Sequence, residues 1–210
     1  MNIVVIGANG GVGKQTVELA LKAGHHVTAL VRNPAKLTLT HPNLEVVKGD
    51  ILVPGSFDGI LENKDVIISA IGVKGTGPTT LYSLGNSHLL DAMKRKGSRR
   101  IFFISASALD ISPVLPFYVR LLAKYVVQKI LRNMYADLRE MERLVKTSET
   151  DWTIMRPPRL TDRPATGHYR FAIDQFLKNC LNISRADLAH FMVHNVTNEA
   201  TYKTTIEIGY

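Results

Sequence analysis

Residues 7 to 13 read Gly-Ala-Asn-Gly-Gly-Val-Gly, between the apolar run Asn2 to Ile6 and a helical pattern over 12–23. Residues of these types can present bare backbone amides to a diphosphate. Glycine turns with positive φ and carries no Cβ to hold a phosphate off, and a helix start offers unpaired N–H groups and a partial positive charge. Gly7, Asn9, Gly10, Gly11, Val12 and Gly13 are therefore the candidate nucleotide cradle. The spacing reads two ways. Gly7, Gly10 and Gly13 fit G-x-x-G-x-x-G, whereas Gly7, Gly11 and Gly13 fit G-x-x-x-G-x-G, and the pattern itself does not choose.

A second candidate group follows the apolar run 27–31. Arg32 stands where an acidic residue would hold an unphosphorylated ribose diol, and Lys36 lies about one helical turn beyond. An arginine fork matches a phosphate, so the pair predicts NADP(H) rather than NAD, with Arg32 and Lys36 on the 2′-phosphate. A surface arginine in a loop is the plainer reading. After the run 66–71, Ala70-Ile71-Gly72 supplies small residues over which a cofactor can lie, although the glycines of the loop to Pro78 also suit mere flexibility.

The elements that must position these residues are legible as alternation. Apolar runs at 2–6, 27–31, 44–47, 66–71, 101–105, 152–155 and 203–208 read as strands. Helical patterns read at 12–23, 56–62, 79–96, 115–147, 171–179 and 185–195. Alternating strands and helices predict a parallel sheet with helices on both faces, and ligands at the carboxyl ends of its strands. We expect one doubly wound, Rossmann-like α/β domain over residues 1–210, with no repeat and no linker.

Composition narrows the function. The chain has 210 residues, 45% of them hydrophobic, enough for one sizeable core. No secretory leader is expected before the first strand, and no long charge-free stretch predicts a membrane span. Cys180 is the sole cysteine, which excludes an internal disulfide and suits a reducing cytoplasm. No metal ligand set is expected. The net charge of +8 would suit nucleic acid, but the densest cluster, Lys94 to Arg100, lies between a helical pattern and a strand and reads as a solvated helix end. The same charge would attract an anionic cofactor. We expect a small-molecule acceptor as partner, no nucleic acid, and a monomer or weak homodimer.

The glycine loop resembles the short-chain dehydrogenase/reductase superfamily, the first spacing its extended and atypical branches and the second its Tyr-x-x-x-Lys branch. That resemblance implies that Asp50 and Ile51 frame the adenine and that Ser105 or Ser107, after the strand 101–105, faces the nicotinamide and acceptor. As read from type alone, Asp50 is equally a turn former, and the two serines equally structural turn residues. Tyr125 and Lys129 match the dyad literally, but they fall too far upstream. Met134 and Leu138 occupy the places the dyad would take, and Tyr135 with Arg139 is one residue off. We expect no dyad.

A closer resemblance is carried by Met141 to Val145, Trp152-Thr153-Ile154-Met155-Arg156-Pro157-Pro158-Arg159-Leu160-Thr161-Asp162, Pro164 to Tyr169, and Ile183-Ser184-Arg185-Ala186-Asp187-Leu188-Ala189-His190-Phe191-Met192. The chain is similar to the atypical, NmrA-like branch that includes biliverdin-IXβ/flavin reductases and bacterial NADH-flavin reductases. This implies NADPH-dependent hydride delivery to a planar acceptor such as a flavin, quinone or tetrapyrrole, with Pro157 and Pro158 placing backbone near the nicotinamide. The mammalian relative has a histidine after its Pro-Pro pair. Arg159 stands there here and suits an anionic group on the acceptor, or a structural ion pair. NmrA-like proteins also include non-catalytic NADP-binding sensors, the alternative that a missing dyad favours; an epimerase or dehydratase is a third. The segment Ser112 to Met134 is the least family-like part. It reads either as a lid or interface, or as a helix packed on the sheet with a basic outer face.

Overall fold

β1 (Asn2–Ile6) has no polar side after its first residue, and Ile3, Val4 and Val5 are fully buried. A strand of that kind needs cover on both faces. The computed structural model, which describes residues 1–210, provides it in an eight-stranded sheet. The strands lie in the order β3 (Leu44–Lys48), β2 (His26–Val31), β1, β4 (Val66–Ser69), β5 (Arg100–Ile104), β6 (Asp151–Arg156), β10 (Thr204–Gly209) and β8 (Arg170–Ile173). Every pairing is parallel except that of β8 with β10. β7 (Arg159–Thr161) and β9 (Asn182–Ser184) form a separate parallel pair.

The alternation of β1 divides the core. Ile3 and Val5 pack with Val17 and Ala20 of α1 (Gly11–Lys22) and with Leu188 and Met192 of α6 (Arg185–His194). Val4 and Ile6 face the other way, with Leu89 and Met93 of α2 (Ser83–Lys96) and with Met141 and Val145 of α5 (Arg132–Lys146). Period-two side chains thus set two helical layers on opposite faces of one sheet. This is the doubly wound α/β domain that the strand spacing predicts.

Chain order reverses at β1. β2 and β3 extend the sheet one way and β4 to β6 the other, which opens a crevice at the carboxyl ends of β1 and β4. No helix is long and apolar enough to cross a membrane.

Three expected helices differ. The 56–62 pattern forms only a short 3₁₀ turn, Asp58–Leu61. The 171–179 pattern forms β8 and turns, because Phe171, Ala172 and Ile173 pair with Ile208, Glu207 and Ile206, and Asp174 then adopts φ +52°. Edge pairing with a distant strand overrides local periodicity here. The 115–147 pattern is not one helix. It divides into α3 (Phe117–Leu122), a wide π-turn (Ala123–Val127), α4 (Gln128–Ile130) and α5, with Leu131 out of helical geometry. α5 follows the sheet, whereas the preceding arm is held by Gln128, which donates to the carbonyls of Ala108 and Leu109.

Candidate active site

The glycine loop sits at the crevice. Gly7 ends β1 at φ +81°, and a Cβ there would lie 2.7 Å from the Ala70 carbonyl oxygen after β4. A Cβ on Gly13 would overlap the Gly7 carbonyl oxygen, and one on Gly10 would crowd the same atom at 3.1 Å. A Cβ on Gly11 would meet only the flexible side chain of Arg185. Backbone therefore demands glycine at 7 and 13 and favours it at 10, the G-x-x-G-x-x-G reading.

Helix α1 opens at Gly10 without a side-chain cap and without an acidic residue in its first turn. Its first internal bond runs from the Lys14 N–H to the Gly10 carbonyl, 2.8 Å, so the amides of Gly11, Val12 and Gly13 have no acceptor within the helix. The starts of α2 and α6 on this sheet are met by side chains. Asp137 of α5 accepts from the Tyr82 and Ser83 amides at the start of α2. Ser184 and Asp187 exchange hydrogen bonds at the start of α6.

Asn9 joins the loop to the end of β2 by donating to the Asn33 carbonyl, 2.9 Å. Arg32 and Lys36 flank that junction, both exposed and neither in an ion pair. Gly49 after β3 donates to the Val31 carbonyl, which brings Asp50 alongside Arg32. One Asp50 oxygen accepts from the Leu52 amide in a local turn. Ile51 turns inward, buried against Gly85 and the α2 core, so its side chain supports the wall of this region. Ala70 is buried, Ile71 half-buried and Gly72 exposed, and Tyr82 accepts from the Val73 amide.

The ends of β5 and β6 bring the remaining candidates together. Ser105 donates its amide to the Met155 carbonyl, and Ser107 donates its amide to Pro157, 3.0 Å. The two hydroxyls are used differently. Ser105 is buried and donates to Glu142 Oε1, 2.7 Å, whereas the half-buried Ser107 hydroxyl has no protein partner and lines a small cavity of about 50 Å³ with Asp110, Leu115 and Cys180. Glu142 is gripped from two sides, by Arg156 in two contacts of 2.9 and 2.6 Å and by Lys146. Burial works to raise its pKa, but Arg156, then Ser105 and Lys146, hold it below the ordinary glutamate value. Arg156 also pairs with Asp110 at 2.7 Å. This network fixes the loop after β5, and Ser105 belongs to it. Pro157 is buried, Pro158 half-buried, and Arg159 exposed without an ion-pair partner on β7.

The dyad positions stand apart. Tyr125 is exposed on the arm, and Tyr135 is buried with Arg139 donating to the Leu109 carbonyl. Burial pushes the Cys180 thiol up to about 12, leaving it protonated at neutral pH. An open hollow of about 270 Å³ at the amino-terminal edge of the sheet, beside Asn2, His26 and Lys64, contains none of the candidates.

Sequence reading missed Arg185. Its side chain lies across Gly11, with Nε 2.7 Å from where a Cβ would stand, and its guanidinium is held by Asp162 at 2.7 Å. It is the first residue of α6 and distant from the loop in sequence. A glycine facing an arginine is a signal only once the packing of α6 on α1 is known.

The family model described as NAD(P)H-binding matches residues 7–199. The chain is 29% identical over 201 residues to a UPF0659 protein of Schizosaccharomyces pombe, covering 89% of this chain and 80% of the relative. It is 30% identical over 120 residues to the photosystem II assembly factor Ycf39 of Synechocystis, a match that takes in 55% of this chain and 37% of that protein. Among solved structures, the oxidoreductase ylbE from Lactococcus lactis superposes with a TM-score of 0.82 at 18% identity, over 100% of this chain and 90% of that one. A wide-type short-chain dehydrogenase/reductase from Veillonella parvula in complex with NADP gives 0.79 at 20%, over 100% and 94%. The anaerobilin reductase ChuY from Escherichia coli gives 0.78 at 24%, over 100% and 97%. At these identities the three structures establish the shared fold.

Proposed function

The chain belongs to the NAD(P)H-binding family, and on that premise we propose that it is an NADPH-dependent reductase of a planar acceptor such as a flavin, a quinone or a tetrapyrrole. The observation that carries the reading is the open start of α1 at the β1/β4 crevice. Three amides there lack acceptors within the helix, its first turn carries no acidic residue, and a Cβ at Gly7 or Gly13 would collide with the backbone that shapes the loop. NADPH, when bound, supplies the hydride. Gly7, Gly10, Gly11, Val12 and Gly13 hold its diphosphate, and Arg185 closes over that group from α6. Asn9 orders the loop between the diphosphate and the adenosine end. Arg32 and Lys36 take the 2′-phosphate, with Asp50 and the segment above Ile51 beside the adenine. Ala70, Ile71 and Gly72 give a low floor toward the nicotinamide, where Pro157 and Pro158 form the opposite wall.

Ser107 is the hydroxyl free to hydrogen-bond an acceptor carbonyl or ring nitrogen. Ser105 acts as a positioning residue that locks the loop through Glu142 and Arg156. Arg159 takes an anionic substituent of the acceptor. The proton that accompanies hydride transfer comes from water, since no tyrosine dyad is present to deliver it. Holding donor and acceptor in contact is then the main contribution of the protein.

The missing dyad also favours a second reading, an NADP-binding sensor without turnover. Calorimetry with NADPH and NADH, followed by NADPH oxidation with FMN, FAD and simple quinones, separates the two. Tight NADPH binding with turnover supports the reductase, tight binding without turnover supports the sensor, and no binding of either coenzyme rejects both.

A further inference from the structure

The arm between the fifth strand and α5 is built inside out. From Pro113 to Met134 not one residue is buried. Val119, Ala123, Val127 and Leu131 recur every fourth residue as the half-buried inner stripe, and the last two pack on the α2/α5 core. The opposite side faces water, yet it carries the large apolar residues. Phe117 is 74% exposed, Leu121 48% and Tyr125 61%, again at every fourth residue, with Tyr118 and Leu122 beside them. An ordinary surface helix would place polar residues there. The exposed residues are continuous along the arm, which is more than scattered surface leucines explain.

The charges on this arm have one sign. Arg120, Lys124, Lys129 and Arg132 are all exposed, and no Asp or Glu occurs between Asp110 and Asp137. Arg120 and Lys124, four residues apart, lie along one flank of the apolar ridge, and Lys129 follows beyond the π-turn. Aromatic and leucine side chains beside exposed cations suit a helix lying in the interface of a bilayer, its rings among the acyl chains and its cations at headgroup phosphates. Symmetric pairing of two copies would instead bring four cations against four more.

We propose that the arm from Pro113 to Leu131 seats this protein on an anionic lipid bilayer surface, with Phe117, Tyr118, Leu121, Leu122 and Tyr125 inserted and Arg120, Lys124 and Lys129 at the headgroups. The arm sits directly over the site. Leu115 and Ala123, on its inner side, line the cavity that Ser107 faces, and Gln128 ties it to the loop after Ser107. Docking therefore places the bilayer on the side of the arm opposite the free serine hydroxyl.

Flotation of the full chain with vesicles of phosphatidylcholine alone, or mixed with phosphatidylglycerol, tests this. The expected result is partition onto the mixed vesicles, little onto the neutral ones, and release by added salt. Replacing Lys124 and Lys129 by Gln is expected to weaken partition roughly thirtyfold, near the effect of two cations lost from a charged surface. Replacing Phe117 and Leu121 by Ser is expected to weaken it at least about tenfold. Both variants should keep the parent melting temperature and NADPH affinity, because the altered side chains are exposed and off the nucleotide cradle. Absence of partition onto the mixed vesicles overturns the proposal, as does equal partition onto neutral ones. A stable dimer that the Phe117/Leu121 variant abolishes also overturns it, by showing that a second copy covers the ridge.

Discussion

Helices α1 and α6 lie side by side on the same face of the sheet, and their starts could hardly be treated more differently. At α6, Ser184 accepts from the Asp187 amide, and the Asp187 carboxylate accepts from Ser184, Tyr210, the Thr166 and Gly167 amides, and the Thr166 hydroxyl. The Asp187 amide is thus capped by the fold itself. At α1 there is no cap, no carboxylate and no side chain at all on Gly10, Gly11 or Gly13. The closed start contributes stability. The open one withholds stability from the free protein so that a ligand can supply the missing acceptors.

This contrast can be broken at either end. Gly13→Val should have the largest effect, since the added carbons overlap the Gly7 carbonyl. We expect at least about a hundredfold loss of NADPH affinity by calorimetry, with about 3 kcal/mol lost from stability in urea. Asp187→Ala should invert the pattern, costing about 3 kcal/mol in denaturation while NADPH affinity changes little. Arg32→Ala should weaken NADPH about thirtyfold and leave NADH nearly unchanged, the loss expected for one charge-assisted phosphate contact. Equal losses for both coenzymes would refute its place at the 2′-phosphate. Arg185→Ala should weaken both coenzymes by about tenfold, since the diphosphate is common to them.

The smallest effect concerns pH. Burial pushes the Asp187 pKa up, but hydrogen bonds led by that from Tyr210 bring it below the ordinary value, and Glu142 is likewise held low. A depressed folded pKa means stability that is fully present above the unfolded carboxylate value, about 4, and lost as pH falls through the lowered folded value. Urea midpoints measured from neutral pH down to about pH 3 should fall in the parent chain and fall less in Asp187→Asn.

The parts legible in the sequence were those with a local physical cause. A wholly apolar β1, glycines where backbone passes close, and period-two strands all show without knowledge of contacts. The choice between glycine spacings was not local, because it turns on which atoms oppose each missing Cβ. Arg185 was illegible for the same reason: only packing brings α6 over Gly11. Residues 171–179 misled because Phe171 and Ile173 answer to β10, more than 30 residues later. The serines after β5 looked alike in sequence and were separated by one distant carboxylate, Glu142.

The order of strands also bears on how the molecule is made. β10 lies between β6 and β8, and β8 has no other neighbour in the sheet. During synthesis from the amino terminus, β8 must wait, unpaired, until residues 204–209 have left the ribosome. Arg100 waits in part too: Asp151 and Thr153 accept from its buried guanidinium early, but the Asn195 and Val196 carbonyls and the Thr201 hydroxyl are made late. A nascent chain halted before residue 195 would thus carry a bare strand and a half-satisfied buried cation, which makes it a ready substrate for chaperones and proteases.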